Sequence, residues 1–429
     1  MSEYVSRRTF VKGAAIAAAP AVLPALGANG KVNVAFIGTG SRGYYLLERL
    51  YAGVPQADFV VTAVCDIFTG ALENGKKRVI DMGKNTPKTF ADYREILRDP
   101  SIDAVFICTP EHLHHRMALD ALAAKKHIYL EKPIAHTIEE GWDIVKAAEK
   151  SDKVVQVGTQ NRSNQLYKKA KEMVEAGMIG ECHYVRAFWY RNGFDHEPAW
   201  RYPVQEGLSP ETTDWQKFLG PAPKRPFDPR RYRQWRLYWD YSGGISTDLL
   251  VHQTDITNFV LSKTVPTSCM ASGGIYRWDR PYNNLPDDRE VPDVISALYE
   301  YVPEKFHLNY SCYLGNANFG YGEQFMGNEG TIEVLNRQTL TFTPETFQGR
   351  PPERVKARKP MTETVKNCDN LAVEAHERNF INAILGREKV IAPATVGQEA
   401  AIGGHMATLS YKQGKKIVWN RATNKYRFV

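Results

Sequence analysis

Apolar positions along the chain follow two different rhythms. Between residues 31 and 157, short apolar runs recur with helical segments between them. Lys31–Ile37, Phe59–Cys65, Ala104–Cys108 and His127–Leu130 are rich in apolar and β-branched residues, the pattern of strands buried on both faces. Leu46, Leu47 and Leu50 mark a helix after the first run, and further helical patterns cover Tyr93–Arg98 and Glu111–Leu122. Alternation of this kind predicts an α/β architecture with a doubly wound parallel sheet. Beyond Gly158 the rhythm changes. Arg162–Gly177 reads as a helix and Cys182–Trp189 as a strand, whereas residues 191–242 are rich in proline and tryptophan (Trp200, Trp215, Trp235, Trp239). A connection that long is usually functional or disordered, and its tryptophan density argues for order. Strand patterns around Val294–Tyr301, Phe306–Tyr313 and Thr331–Val334 predict a second, α+β domain with an open, mainly antiparallel sheet. The exposed face of such a sheet needs cover, so a homodimer or homotetramer is expected. Helical character returns at His376–Leu385 and Gly397–Tyr411.

The first 28 residues differ in kind. Arg7-Arg8 stands ahead of an alanine-rich apolar run, Gly13–Leu26, which is shorter than the about 20 residues a comfortable membrane span needs. This is the pattern of a twin-arginine export signal, and it predicts a periplasmic or exported protein with no stable membrane span. Such signals carry folded proteins, which suits a chain that loads a cofactor before export. Composition changes the picture little. With 43% apolar and 24% charged residues the chain reads as soluble and globular. A net charge of +7, dispersed along the sequence, argues against a nucleic-acid partner. Cys65, Cys108, Cys182, Cys269, Cys312 and Cys368 show no C-x-x-C pair and no metal-ligand spacing, and read as free thiols.

The candidate chemistry sits at the ends of the predicted strands. The first runs into Gly38-Thr39-Gly40-Ser41-Arg42-Gly43. In such a loop the first glycine permits the tight turn and the second lets backbone approach a pyrophosphate, while the third lets helix pack on strand. The helix that follows offers its free N–H groups to the phosphates. The second strand ends in Asp66, at about the distance expected for an acid that binds the adenosine ribose. Its charge repels a 2′-phosphate and favours NAD over NADP, although Arg42 is suited to meet a phosphate; a helix cap is the structural alternative for Asp66. His127–Leu130 ends in Glu131-Lys132-Pro133, where the proline cannot donate to a sheet ladder. That leaves Glu131 and Lys132 at the carboxyl edge of the sheet, where open α/β folds bind ligands. A lysine there can hydrogen-bond a substrate hydroxyl and stabilise its developing charge. Asp248 and His252 are spaced to share one helix face, with Ser246 as the cap. Histidine suits a general base, and Asp248 is placed to orient its ring or bind a neighbouring hydroxyl. His112, His114 and His115 lack partners at ligand spacing, so no metal is indicated; His112 and His115 read as the start of a surface helix.

These residues together resemble the Gfo/Idh/MocA family of nicotinamide-dependent oxidoreductases. The resemblance is carried by Gly38–Gly43, Asp66, Thr109-Pro110 with His114 just beyond, Glu131-Lys132-Pro133, Val157–Arg162, Gly243-Gly244 followed by Asp248 and His252, and Gly327–Thr331. It implies a Rossmann NAD-binding domain at residues 31–155 and a substrate and oligomerisation domain at 156–371, with helices of 372–411 returning to the first domain. It further implies a tightly bound NAD on Gly38, Gly40, Ser41, Arg42, Gly43, Asp66, Thr109, Pro110, His114, Glu131, Lys132 and Gln160. The implied substrate is a small carbohydrate met by Lys132, Arg162, Trp235, Arg236, Asp248 and His252. Lys132, His252 and Asp248 are the implied catalytic set.

Exported members of the family include periplasmic oxidoreductases of the glucose–fructose type and NAD-dependent glycosidases, the latter lacking Glu-Lys-Pro. The expected activity is hydride transfer between NAD and a hydroxyl of a sugar, cyclitol or sugar derivative. The alternatives are a glycoside hydrolase working by transient oxidation and elimination, and a non-catalytic sugar-binding protein with a relict cofactor site.

Overall fold

Six parallel strands, β1 (Val32–Ile37), β2 (Phe59–Cys65), β3 (Lys88–Phe90), β4 (Ala104–Ile107), β5 (His127–Leu130) and β6 (Val155–Val157), lie in the order β3-β2-β1-β4-β5-β6. The parallel sheet expected from the alternation is therefore present. The chain reverses direction across the sheet between β1 and β4, which opens a crevice at the carboxyl ends of the strands. The structure is a computed structural model that describes residues 30–429 apart from 194–197, 280 and 282–287. The twin-arginine segment lies outside the described residues.

Both faces of this sheet are covered, and each is completed from the far end of the chain. On one face Phe36, Phe106 and Tyr129 stack at 4.5 and 4.7 Å. Leu46, Leu47 and Leu50 of the helix Ser41–Gly53 pack there together with Phe380 and Ile381 of the helix Cys368–Ile384. On the other face the helices His114–Ala123 and Ile138–Glu149 are joined by Ala394 and Ala401 of the helix Ala394–Gln413.

The second sheet has ten strands. Cys182–Tyr190 runs parallel to Phe306–Tyr313, and every other pairing is antiparallel. Its strands alternate in the manner of a half-buried sheet: Ile295, Ala297, Tyr299 and Tyr301 point into the core, while Ser296 and Leu298 face outward. The inner face packs against the helices Gln165–Glu175, Val251–Leu261 and Ala394–Gln413. The described part of the 191–242 excursion is ordered by aromatic packing. Trp215 stacks on Phe218 at 5.0 Å and donates its Nε1–H to the Arg225 carbonyl, so this tryptophan pins the loop. No helix among the described residues is long and apolar enough to cross a membrane.

Candidate functional site

A cavity of about 1020 Å³ lies at the carboxyl ends of the first sheet and reaches across to the second domain. Gly38, Gly40, Ser41, Arg42, Asp66, Thr109, Pro110, Glu131 and Gln160 all line it. Gly38 has φ +86° and donates its N–H to Cys65 O at 2.8 Å, which makes the sharp turn out of β1. A Cβ on Gly43 would sit 1.9 Å from Gly38 O, so this residue supports the loop from behind. At Gly40 a Cβ would enter open space. This is the geometry of a backbone cradle that a diphosphate can approach closely, and the residues present fit a dinucleotide. Asp66 does more than line the cavity. Its Oδ2 accepts the Thr39 N–H at 2.7 Å and its Oδ1 the Phe68 N–H at 2.9 Å, so the carboxylate also braces the glycine loop. Burial pushes its pKa up against those hydrogen bonds.

Lys132 crosses from this half of the cavity to the other. Its Nζ donates to the Asp248 main-chain oxygen at 2.6 Å and to Oδ1 at 3.0 Å. Two of the three ammonium donors are thus placed, and one remains for a substrate oxygen. Arg236 Nε lies 3.1 Å from the same Oδ1. Burial alone would raise the Asp248 pKa, but Arg236 and Lys132 hold it below the usual carboxylate range. His252 lines the cavity one helical turn later. Burial, with Lys132 and Arg337 nearby, depresses its pKa well below the ordinary histidine value. The imidazole is therefore neutral at pH 7 and able to accept a proton.

The structure corrects several expectations. Ser246 makes no capping bond: the helix opens with a π-helical turn, Ser246–Leu250, before Val251–Leu261. Asp248 does not orient His252 through a hydrogen bond, because Lys132 and Arg236 claim its carboxylate. His114 is absent from the cavity wall. Its ring is clamped between Pro133 O at 2.8 Å and Thr109 O at 2.9 Å, joining the turns after β5 and β4. Arg162 is also outside the cavity, since buried Asp255 holds its Nε at 2.7 Å. The predicted surface histidine His112 is buried against Phe218 and Tyr241 and lines the cavity, as does the partly exposed His115. Trp235 and Arg236 do face the cavity.

One family model, described as "Oxidoreductase family, NAD-binding Rossmann fold", matches residues 32–159. Two more, each described as "Oxidoreductase family, C-terminal alpha/beta domain", match residues 163–272 and 223–418. The chain belongs to the Gfo/Idh/MocA oxidoreductase family. Among Gfo/Idh/MocA relatives, scyllo-inositol 2-dehydrogenase (NAD(+)) of Bacillus subtilis is 28% identical over 268 residues, 62% of this chain and 63% of that protein. Glycosyl hydrolase family 109 protein 2 of Shewanella sp. is 31% identical over 194 residues, 43% of this chain and 39% of its own length. These matches span less than two thirds of either relative. Levoglucosan dehydrogenase, solved in complex with NADH and levoglucosan, superposes with a TM-score of 0.69 at 20% identity, covering 93% of this chain and 99% of that one. That likeness shows the shared Gfo/Idh/MocA fold.

The cavity also involves residues that the sequence did not single out. Glu111 is buried, and its Oε1 accepts the Gly243 N–H at 2.7 Å and faces His136 Nδ1 at 3.2 Å. It thereby bolts the turn after β4 to the Gly243-Gly244 turn that precedes Asp248. Its adjacency to Thr109-Pro110 was the available signal. Trp189, at the end of a strand, and Arg337, in a turn, line the cavity near His252. Nothing local in the sequence marks either.

Proposed function

We propose that the protein transfers hydride between NAD and a hydroxyl-bearing carbon of a sugar, cyclitol or sugar derivative. The observation that carries this reading is the convergence on one cavity of Lys132, fixed by Asp248, and of the neutral base His252. When bound, NAD supplies the hydride acceptor. The protein's own residues do the rest. Lys132 donates a hydrogen bond to the substrate oxygen and stabilises its negative charge. His252 takes the hydroxyl proton as the carbonyl forms. Asp248 keeps the lysine in place, Trp235 offers an apolar face to the sugar, and the NAD stays bound between turnovers. Single-turnover absorbance of the nicotinamide in NAD-loaded protein tests this. Sugars or cyclitols that leave the bound nicotinamide oxidised throughout a broad panel would remove the reading.

A second reading, glycoside hydrolysis through transient oxidation, is favoured by the identity to the family 109 glycosyl hydrolase. Mass spectrometry of products separates the two, because hydrolysis leaves no net redox change. Two expectations beyond the site complete the proposal. Residues 1–28 direct export, so an Arg7→Lys/Arg8→Lys variant should stay in the cytoplasmic fraction. The outer face of the second sheet, with Tyr184, Met270, Leu298 and Met326 exposed, packs against another copy, so light scattering should give a dimer or tetramer.

A further inference from the structure

On the cavity wall near His252, one nitrogen of a buried guanidinium lacks an acceptor among the described residues. Arg337 is the second central residue of the turn Leu335–Gln338, which is closed by the Gln338 N–H to Leu335 O at 3.0 Å. Asn336 and Arg337 have φ +48° and +56°. Glycine is the usual residue at that second position, so an arginine there is held in a conformation that its side chain disfavours. The side chain is 9% exposed, and its Nη1 lies 3.5 Å from Asp369 Oδ1. Its Nη2 has no hydrogen-bond partner among the described residues. Arg337 Cζ is 4.7 Å from the centroid of the Trp189 ring, which in turn is 6.1 Å from the ring of His252. The Trp189 Nε1–H is buried and also without an acceptor among the described residues. Arg191, exposed on the same strand end, approaches the Trp189 ring at 4.8 Å. Two unsatisfied donors and a second guanidinium thus gather beside the catalytic base.

Buried donors need acceptors, and a guanidinium edge pairs best with a planar carboxylate. We propose that this corner binds the carboxylate of the substrate, which is then a sugar acid of the uronic or aldonic type. The proposal rests on reading the site as a sugar oxidoreductase and adds the substrate class. Asp369 already shares the Arg337 charge, the buried Glu323 carboxyl also acts on it, and Arg191 supplies a second cation, so the corner matches no more than a monoanion. A phosphate would set a second negative charge against Asp369.

The test uses NAD-loaded full-length protein and two matched sets of probes. Glucuronate, galacturonate and gluconate are compared with glucose and galactose by calorimetric titration and by single-turnover reduction of the bound nicotinamide. At least one acid should bind ten or more times tighter than its neutral counterpart, and added salt should weaken only the acid. Arg337→Gln should cut that acid-to-neutral ratio at least tenfold, and Arg337→Lys should restore part of it. Equal binding of acids and hexoses, tighter binding of glucose 6-phosphate than of any acid, or an Arg337→Gln loss shared equally by both sets would overturn the proposal. An acid that binds tightly yet leaves the nicotinamide oxidised would uphold the carboxylate corner and defeat the redox reading. Reduction by hexoses with no acid bound would do the reverse.

Discussion

Replacing Asp248 with asparagine separates the anchoring of Lys132 from its chemistry. The Asp248 carboxylate meets Lys132 Nζ at 3.0 Å and Arg236 Nε at 3.1 Å, with its own side chain 11% exposed. At an effective dielectric of about 20, each contact is a gross attraction of about 5 kcal/mol. Most of that is offset by desolvating three charges, so the intact cluster adds little net stability. Losing the one anion is different, because it leaves the largely buried Lys132 and the partly exposed Arg236 facing each other with no anion between them, at a cost of about 3–5 kcal/mol. With a urea slope of about 3 kcal/mol/M, the unfolding midpoint should fall by roughly 1–1.7 M. Lys132 keeps its 2.6 Å bond to the main-chain oxygen, so NAD binding should survive while single-turnover reduction drops about 10²–10³-fold. Adding Lys132→Met to Asp248→Asn removes one of the repelling cations. The double variant should therefore be more stable than Asp248→Asn alone and scarcely slower. A wild-type midpoint and rate in Asp248→Asn, or a double variant less stable than the single, would refute the anchoring argument.

Three further outcomes are expected. His252→Ala should slow bound-nicotinamide reduction by about 10²–10⁴-fold, and because burial and Lys132 depress the His252 pKa, the acid limb of the wild-type profile should lie below pH 6.5; a limb at or above 6.5 speaks against His252 as the base. Asp66→Ala should weaken NAD binding by about 1–3 kcal/mol, since the Thr39 and Phe68 N–H groups lose their acceptor, and should narrow the preference over NADP; calorimetry in which the wild type already prefers NADP sinks the assignment. Burial lowers the pKa of His112 to about 3 and of His376 and His405 to about 4. As pH falls below about 6.5 the unfolded chain takes up these protons first, so each group should remove about 1.4 kcal/mol of stability per pH unit until its folded value is reached. Urea midpoints that do not differ between pH 7 and pH 5 would contradict this.

What the sequence revealed was local. The glycine loop, Asp66 and the Glu131-Lys132-Pro133 turn each sit where a strand ends, and strand ends are visible as breaks in apolar periodicity. Asp248 and His252 share a helix and were found by spacing. Partners distant in sequence were not legible. Arg162 looked like a site residue beside Gln160, but Asp255 draws it into the core. His114 followed a recognisable motif, yet its ring binds two main-chain carbonyls rather than facing the cavity. Arg337 reaches the site only because sheet pairing sets Tyr321 against Trp189, and the Asn336 N–H bonds Tyr321 O.

The return of the chain's last helices to the first sheet bears on how the protein is made. Phe106 and Tyr129 belong to the first domain, but Phe380, which packs edge-on against both, is translated far later. Roughly 210 residues separate β6 from the helix Cys368–Ile384. At about 5–20 residues per second, the ribosome takes about 10–40 s to cover that distance. During this interval the nucleotide-binding half stands outside the ribosome with part of an apolar face uncovered. Its core closes only near the end of synthesis, so this half cannot finish folding ahead of the rest.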